Sequence, residues 1–273
     1  MAELDRQQLV ATLLAARDNA EFAAPPSSQD ESFDMMEAYA IAHTHVTVLT
    51  ERGYQPAGRK IGFTNTALWE SLGLATPIWG QMYEQTVRHA DNNTATFSLQ
   101  GLVAPRIEPE IVFKLRSALA PENDEPSEIL GAIEWFALGF EIVHCHYPEW
   151  RFKPADGVAD FGLHGALIVG SPQVVQHEQA AHLADQLRDL QAVLARDGET
   201  VAEGSGANVL GHPLLALREL NMLLQTQPNS LPLGQGEVVT TGTLTTALPL
   251  TAGTTWTARV SGVELPTLTL TLT

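Results

Sequence analysis

The chain has 273 residues, 44% of them hydrophobic, enough to bury one large core or one core with a smaller helical appendage. Its 15 Lys and Arg stand against 32 Asp and Glu, and the formal charge of -17 opposes broad contact with nucleic acid or an anionic membrane. The single cysteine, Cys145, excludes an intramolecular disulfide and a Cys-rich zinc site, which fits a reducing cytoplasm. Met1-Ala2-Glu3-Leu4-Asp5 lacks the marks of a secretory signal, so a cytoplasmic location is expected. No apolar stretch approaches the ~20 residues needed to cross a bilayer.

Leu9, Val10, Leu13 and Leu14 recur at helical spacing and predict a first helix of about five turns, ended by Ala24-Pro25-Pro26-Ser27-Ser28. Ser28-Gln29-Asp30-Glu31 has capping-box form. It predicts the start of a second helix, carried by Met35, Tyr39, Ala42, Val46 and Leu49 and stopped by Gly53. Residues 1–56 are therefore expected to form an N-terminal helical segment and 57–273 a separate catalytic domain. After Gly58 the pattern predicts strands at 59–64, 78–83, 97–104, 107–115 and 138–144, with one helix near 127–136. A further helix is expected after Gly211-His212-Pro213, on Leu214, Leu217, Leu220, Leu223 and Leu224. Val238-Val239-Thr240-Thr241 and the alternating Leu/Thr run from Leu265 to Thr273 read as strands. Strands that do not alternate regularly with helices exclude a Rossmann or TIM architecture. The fold class is α+β with a mixed or antiparallel β-core.

The most informative stretch is Arg106-Ile107-Glu108-Pro109-Glu110-Ile111-Val112-Phe113. In a strand, Glu108 and Glu110 share one face while Ile107, Ile111 and Phe113 share the other. Glu141 lies in a second apolar run, Gly139-Phe140-Glu141-Ile142-Val143. Three carboxylates gathered on a hydrophobic sheet repel one another unless a cation neutralises them, and oxygen-only ligands select a hard ion such as Mg²⁺ or Mn²⁺. The alternative from spacing alone is a solvent-facing Glu pair on an edge strand plus an unrelated Glu.

Arg59-Lys60-Ile61-Gly62-Phe63-Thr64, Leu72-Gly73, Gly80, Glu108-Pro109-Glu110, Glu141-Ile142, Ala159-Asp160, Gly204-Ser205-Gly206, Leu210-Gly211-His212-Pro213-Leu214 and Thr241-Gly242-Thr243 occur in an order that resembles the fumarylacetoacetate hydrolase superfamily. Within it, the helical lead-in resembles the 2-oxo-4-pentenoate hydratase and oxalocrotonate decarboxylase branch. The resemblance implies a β-roll core with Glu108, Glu110 and Glu141 as ligands of Mg²⁺ or Mn²⁺. The 2-oxo acid end of a small-molecule substrate would be bound at that ion, which acts as a Lewis acid. It also implies dimers or larger rings, and a homo-oligomer built on a two-fold dimer is expected. Lys60 falls in the active site on this match, as a catalytic and substrate-binding group whose pKa next to a cation would be lowered. Thr243 and the adjacent Gly242 offer a hydroxyl and backbone N–H groups to the substrate carboxylate. Asp160 is either an orienting residue beside the metal or an ordinary capping aspartate.

The chain also departs from the family pattern. Ile78 follows Pro77 where hydratases usually carry an acid, which favours the decarboxylases. His144-Cys145-His146 stands for the usual Asp-Ser-Arg, and Asp160-Phe161-Gly162-Leu163-His164 for Asp-Asn-Ala-Ser. On a regular strand the His144/His146 pair faces away from Glu141, so a shared zinc site is disfavoured. His164 is the better candidate for substrate contact or proton transfer. Hydrolases of the superfamily activate water with a Glu-His dyad on a short helical lid, and here Glu70 has no histidine near it in sequence. The expected function is a metal-dependent hydratase of a 2-hydroxydienoate or 2-oxo-4-enoate from aromatic ring cleavage. Acylpyruvate hydrolase, vinylogous decarboxylase and an inactive 2-oxo acid-binding partner subunit are the alternatives. No nucleotide motif is complete.

Overall fold

Asp5 starts the first helix, α1 (Arg6–Asn19), by accepting hydrogen bonds from the backbone of Gln7 and Gln8. The helix is shorter than its apolar spacing predicted. Ala20 turns into the left-handed region at φ 54° and returns its N–H to Ala16 and Arg17, closing the end before the prolines are reached. Leu9, Val10, Leu13 and Leu14 are buried, as their spacing required. The computed structural model describes residues 5–120, 123–228 and 230–273, without the side chains of Leu68 and His177.

The expected capping box at Ser28 is not used. Residues Pro26–Gln29 make a single short turn, α2, in which Ser27 donates its backbone N–H and its hydroxyl to Asp156. The next helix, α3 (Met35–Glu51), starts instead on Asp34, whose side chain accepts from Glu37 N at 3.0 Å. Gly53, at φ 91°, lies just beyond its end as expected.

The remaining chain forms β1 (Pro56–Gly62), α4 (Trp69–Leu72), β2 (Ile78–Tyr83), β3 (Val87–His89), β4 (Thr94–Phe97), β5 (Arg106–Leu115), α5 (Pro126–Ile129), β6 (Ile133–Val143) and α6 (Pro154–Ala159). Then follow β7 (His164–Val169), β8 (Gln173–Val174), α7 (Ala180–Asp189), β9 (Gln191–Arg196), β10 (Glu199–Ser205), α8 (Pro213–Thr226), β11 (Val238–Thr243), β12 (Leu248–Pro249), β13 (Thr255–Ser261) and β14 (Leu268–Leu272). Two expectations are corrected. Residues 98–104 are loop, turned by Gly101 and Ala104 at positive φ. The helix expected near 127–136 is one turn, α5, extended by a 3₁₀ turn at Leu130–Ala132, after which β6 begins. Ile129, Leu130, Ile133 and Phe136 recur at helical spacing, so the helical period of the sequence runs on across the turn into the strand.

Nine strands form one mixed sheet in the order β2-β1-β11-β5-β6-β7-β3, with β12 also on β5 and β8 on β6. The pairs β1/β11 and β3/β7 are parallel and the others antiparallel. A second sheet runs β10-β9-β13-β14-β4. At the centre, β5 and β6 pair so that Ile107, Ile111 and Phe113 meet Ile142, Leu138 and Phe136 on the face of the main core. The opposite face pairs Glu108 with Glu141, Glu110 with Gly139 and Val112 with Ala137. That face carries charge at one end and a small apolar cluster, with Met82, Leu167 and Val169, at the other. Among the described residues, no helix is long and apolar enough to cross a membrane.

Candidate metal centre

The alternation of β5 places Glu108 and Glu110 on one face, and the register of β6 sets Glu141 directly across from Glu108. One carboxylate oxygen from each of the three lies within 4.8 Å of the others. Gly242 N–H donates to Glu110 Oε2 at 2.7 Å. At φ 99°, with a Cβ that would stand 2.0 Å from Thr64 Oγ1, position 242 accepts only glycine. Its amide therefore holds a carboxylate of the cluster, where the sequence had assigned it to the substrate. Thr243, paired with Glu110 across the ladder, accepts a bond from Thr245 N at 3.3 Å.

Lys60 is buried on β1 with Nζ 3.3 Å from Glu141 Oε2. His164, at the start of β7, places Nδ1 2.9 Å from Glu141 Oε1 and Nε2 2.9 Å from Thr86 Oγ1. Burial pushes Glu110 well above the usual carboxylate range, helped by repulsion from Glu141 and Glu108. Burial likewise raises Glu108 to about 7 against the pull of Lys60. Glu141 is pushed up by burial too, but Lys60 and His164 together outweigh this and hold it below the usual value. Burial lowers Lys60, yet the attraction of Glu141, Glu108 and Glu110 prevails, and its pKa lies above that of free lysine. The carboxylates are its nearest charges and set this direction, whereas the lowering expected from the sequence is that of a lysine beside a bound cation.

Glu110 Oε1 is buried without a hydrogen-bond partner among the described residues, and Glu141 Oε2 has only the ion pair with Lys60 at 3.3 Å. Buried polar atoms of native proteins are normally satisfied, and an orphaned oxygen in a cluster of three carboxylates fits a hard divalent cation. No histidine joins this ligand set among the described residues.

The structure redistributes the other expected site residues. Asp160 is buried but turned to His146, accepting from its backbone N–H at 2.9 Å and pairing with its Nδ1, so it orients a histidine and stays out of the acidic cluster. Among the described residues His144 and His146 belong to no group of three metal-ligating side chains. Glu70 is exposed on α4, outside both the cluster and the cavity lined by His164. Ile78 is buried next to Lys60, since a Cβ built on Gly62 would meet Lys60 Nζ at 3.4 Å and Ile78 Cγ1 at 3.5 Å. No acid flanks the lysine from that position.

A cavity of about 260 Å³ lies on the far side of His164, lined by His164, Thr86, His144, Phe161, Arg17 and Asp18 among others, and none of Glu108, Glu110, Glu141 and Lys60 lines it. Sequence reasoning missed Arg17, Thr86 and His144 as site residues. The only signal was the departure at His144 from the family pattern. Arg17 lies in a helix whose apolar stripe says nothing of where its polar face leads.

No family model matches the chain. Over 251 residues, 92% of this chain and 90% of its relative, it is 29% identical to a 2-hydroxyhexa-2,4-dienoate hydratase of Comamonas testosteroni. Over 213 residues, 78% of this chain and 76% of the relative, it is 30% identical to a 4-oxalocrotonate decarboxylase of Pseudomonas sp. strain CF600. Among solved structures, the 4-oxalocrotonate decarboxylase from Pseudomonas putida G7, complexed with magnesium and adipate, superposes over the whole of both chains with a TM-score of 0.86 at 25% identity. The fumarylpyruvate hydrolase from Pseudomonas aeruginosa, in complex with Mn²⁺ and pyruvate, shares the fold at a TM-score of 0.57 and 13% identity, over 80% of this chain and 89% of the other.

Proposed function

From the premise that the chain belongs to the fumarylacetoacetate hydrolase superfamily, in the branch of 2-keto-4-pentenoate hydratases and 4-oxalocrotonate decarboxylases, we propose that it is a divalent-metal-dependent hydro-lyase acting on a 2-hydroxydienoate or 2-oxo-4-enoate. The observation that carries this reading is the meeting of Glu108, Glu110 and Glu141 beside Lys60, with the buried Glu110 Oε1 left unpaired. Oxygen-only ligands favour Mg²⁺ or Mn²⁺ at this position. When bound, such an ion supplies Lewis acidity to the 2-oxo acid end of the substrate.

The chain's own residues do the rest. Lys60, kept charged by the three carboxylates, supplies positive charge and a proton donor at that end. His164 fixes one oxygen of Glu141 and is itself braced by Thr86, so the carboxylate is held in one orientation. Burial of Lys60 and Glu141 keeps bulk water from competing for these groups.

Ile78 favours a second reading, decarboxylation of a vinylogous 2-oxo acid, because an isoleucine beside Lys60 offers no group to activate water. Product analysis separates the two. With Mg²⁺ and 2-hydroxypenta-2,4-dienoate, NMR is expected to show the 4-hydroxy-2-oxo acid, lost on chelation. Release of CO₂ from an oxalocrotonate-type acid without hydration of the dienoate overturns the hydratase for the decarboxylase. Pyruvate released from an acylpyruvate overturns it for the hydrolase. Lys60→Met is expected to keep metal binding and slow turnover by about 10²–10⁴-fold.

A homo-oligomer built on a two-fold dimer and a cytoplasmic location belong to the same proposal. They are supported by the exposed apolar side chains of Phe22, Met36 and Leu231 and by a lone buried cysteine. A monomer by light scattering at micromolar concentration overturns the first.

A further inference from the structure

The alternation of β7 assigns His164 to the wrong face. Leu167 and Val169 point to the inner face with Glu141, while Ala166 and Ile168 point to the main core, so His164 is due beside the latter two. It nevertheless meets Glu141 Oε1 at 2.9 Å. The register supplies the reason: Ile142 pairs with Ala166 but Val143 pairs with His164, which leaves Gly165 as an extra residue. Such a bulge slips the alternation by one position and turns His164 inward. A Cβ on Gly165 would stand 2.8 Å from Ile142 O, so the bulge is built on a residue without one.

The backbone leading into the bulge is left-handed at three successive residues, Phe161, Gly162 and Leu163, with φ of 54°, 63° and 62°. Residues with a side chain seldom adopt this conformation, and such a run persists only where its surroundings impose it. Both ends of the run are tied to the segment that follows β6. Leu163 O accepts from His144 N–H at 2.9 Å. The Asp160 carboxylate accepts from His146 N–H at 2.9 Å and pairs with His146 Nδ1, and both side chains are fully buried. Between the ends, Gly162 lies against β2, where its Cβ would stand 2.8 Å from Gly80 Cα. The turn is thus laced to the continuation of the strand that presents Glu141. His146 and the run Phe161 to His164 are two places where the chain departs from the family pattern, and here they meet.

We propose that the Asp160–His146 pair is a positioning device: it holds the left-handed turn Phe161–Leu163, so that the Gly165 bulge delivers His164 to Glu141 and fixes that carboxylate for a cation. Asp160 and His146 act through His164 and stand outside the acidic cluster themselves. The effect on metal binding rests on the proposed role of Glu141 as a ligand. The placement of His164 does not depend on it.

The test reads His164 directly. A carboxylate only accepts, so His164 Nδ1 carries a proton, and burial of both groups slows its exchange with water. In the ¹⁵N-labelled protein with chelator, a downfield imidazole N–H resonance is expected that His164→Gln abolishes. Its absence from the unaltered protein overturns the placement of His164. His146→Leu is expected to abolish the resonance too, and His146→Asn, whose amide N–H stands in for Nδ1–H toward Asp160, to retain it. Calorimetry with Mn²⁺ is expected to show affinity about tenfold lower in His164→Gln and several-fold lower in His146→Leu. The double variant should bind no more weakly than His164→Gln alone, whereas losses that multiply mean that His146 does not act through His164 and overturn the device. Persistence of the resonance in His146→Leu overturns it as well. Should His146→Leu not fold, Gly165→Ala carries the test: it leaves the Asp160–His146 pair in place, is expected to abolish the resonance by opposing the bulge, and overturns the proposal if the resonance stays. An unaltered protein that binds no Mn²⁺ overturns the metal reading instead, and the resonance alone then decides whether the pair positions His164.

Discussion

The inner face of β5 and β6 is one surface with two opposite chemistries. At one end it carries Glu108, Glu110 and Glu141, and two residues further along the same strands it carries Val112 and Ala137, sealed by Met82, Leu167 and Val169. The apolar end does what a sheet interior ordinarily does, removing hydrocarbon from water at about 25 cal/mol per Å². The acidic end does the reverse, since it desolvates like charges, which raises Glu108 and Glu110 while Lys60 and His164 hold Glu141 down. Gly139 is the joint between them. It sits opposite Glu110, and a Cβ there would meet Val112 Cγ2 at 2.5 Å, so the apolar packing begins immediately beside the carboxylates. A costly site is held in place by the hydrocarbon half of the strands that present it.

The sharpest way to break this comparison is to remove a charge from one end and a side chain from the other. Glu141→Ala is expected to abolish tight Mg²⁺ or Mn²⁺ binding by calorimetry and to lower turnover about a thousandfold, the rate equivalent of several kcal/mol of Lewis-acid stabilisation. Thermal stability of the metal-free protein should change much less. Leu167→Ala is expected to do the opposite. Denaturant titration should show a loss of about 2–5 kcal/mol, the usual result of emptying a buried leucine site, with metal affinity of the folded fraction retained. Equal effects of both substitutions on stability would show that the two ends are not separable.

Glu110→Gln sharpens the comparison with a smaller effect. It removes a buried charge that repels two neighbours and keeps the shape and the acceptor for Gly242 N–H. The metal-free protein should gain about 1 kcal/mol by denaturant titration while losing metal affinity, the signature of a residue kept for function at the expense of stability.

The acidic end was readable in the sequence because strand alternation is a period of two, so Glu108 and Glu110 had to share a face once the segment was strand. Glu141 was singled out as the acid of a second apolar run, and it lies opposite Glu108 in the register. The apolar end was harder. Ile133 to Ala137 is buried except at Glu134, and its first residues were assigned to a helix because Ile129, Leu130, Ile133 and Phe136 recur at helical spacing across the turn that precedes the strand. The side of the cavity made by Arg17 and His144 was not readable at all. The two residues line one space although their segments are more than a hundred residues apart, and no local pattern takes part. Asp160 shows the reverse limit: a motif position was recognised, but its partner, His146, is one of the residues by which this chain departs from the motif.

The smallest expected effect is a pH dependence that separates the carboxylates from the buried histidines. Glu108 is raised in the folded protein to about 7 from an ordinary value of 4.5, so between these limits the folded state holds more protons than the unfolded state. The contribution of Glu108 to stability is therefore fully present below pH 4.5 and falls as pH rises to about 7. The histidines act in the other direction. His45 is lowered to about 4 and His144 to about 3, both by burial, so the unfolded state binds their protons first and stability falls as pH drops below 6.5. The two trends overlap in the wild-type protein, and the separation lies in the difference between it and Glu108→Gln. In chelator, the melting temperature of Glu108→Gln relative to wild type is expected to increase steadily from pH 4.5 to 7. With saturating Mg²⁺ the sign reverses, because the ion takes the place of the proton on the wild-type carboxylate and binds more tightly as pH rises. A pH-independent difference in chelator would mean that Glu108 is already ionised throughout this range, and that the desolvation cost at the acidic end falls on Glu110 alone.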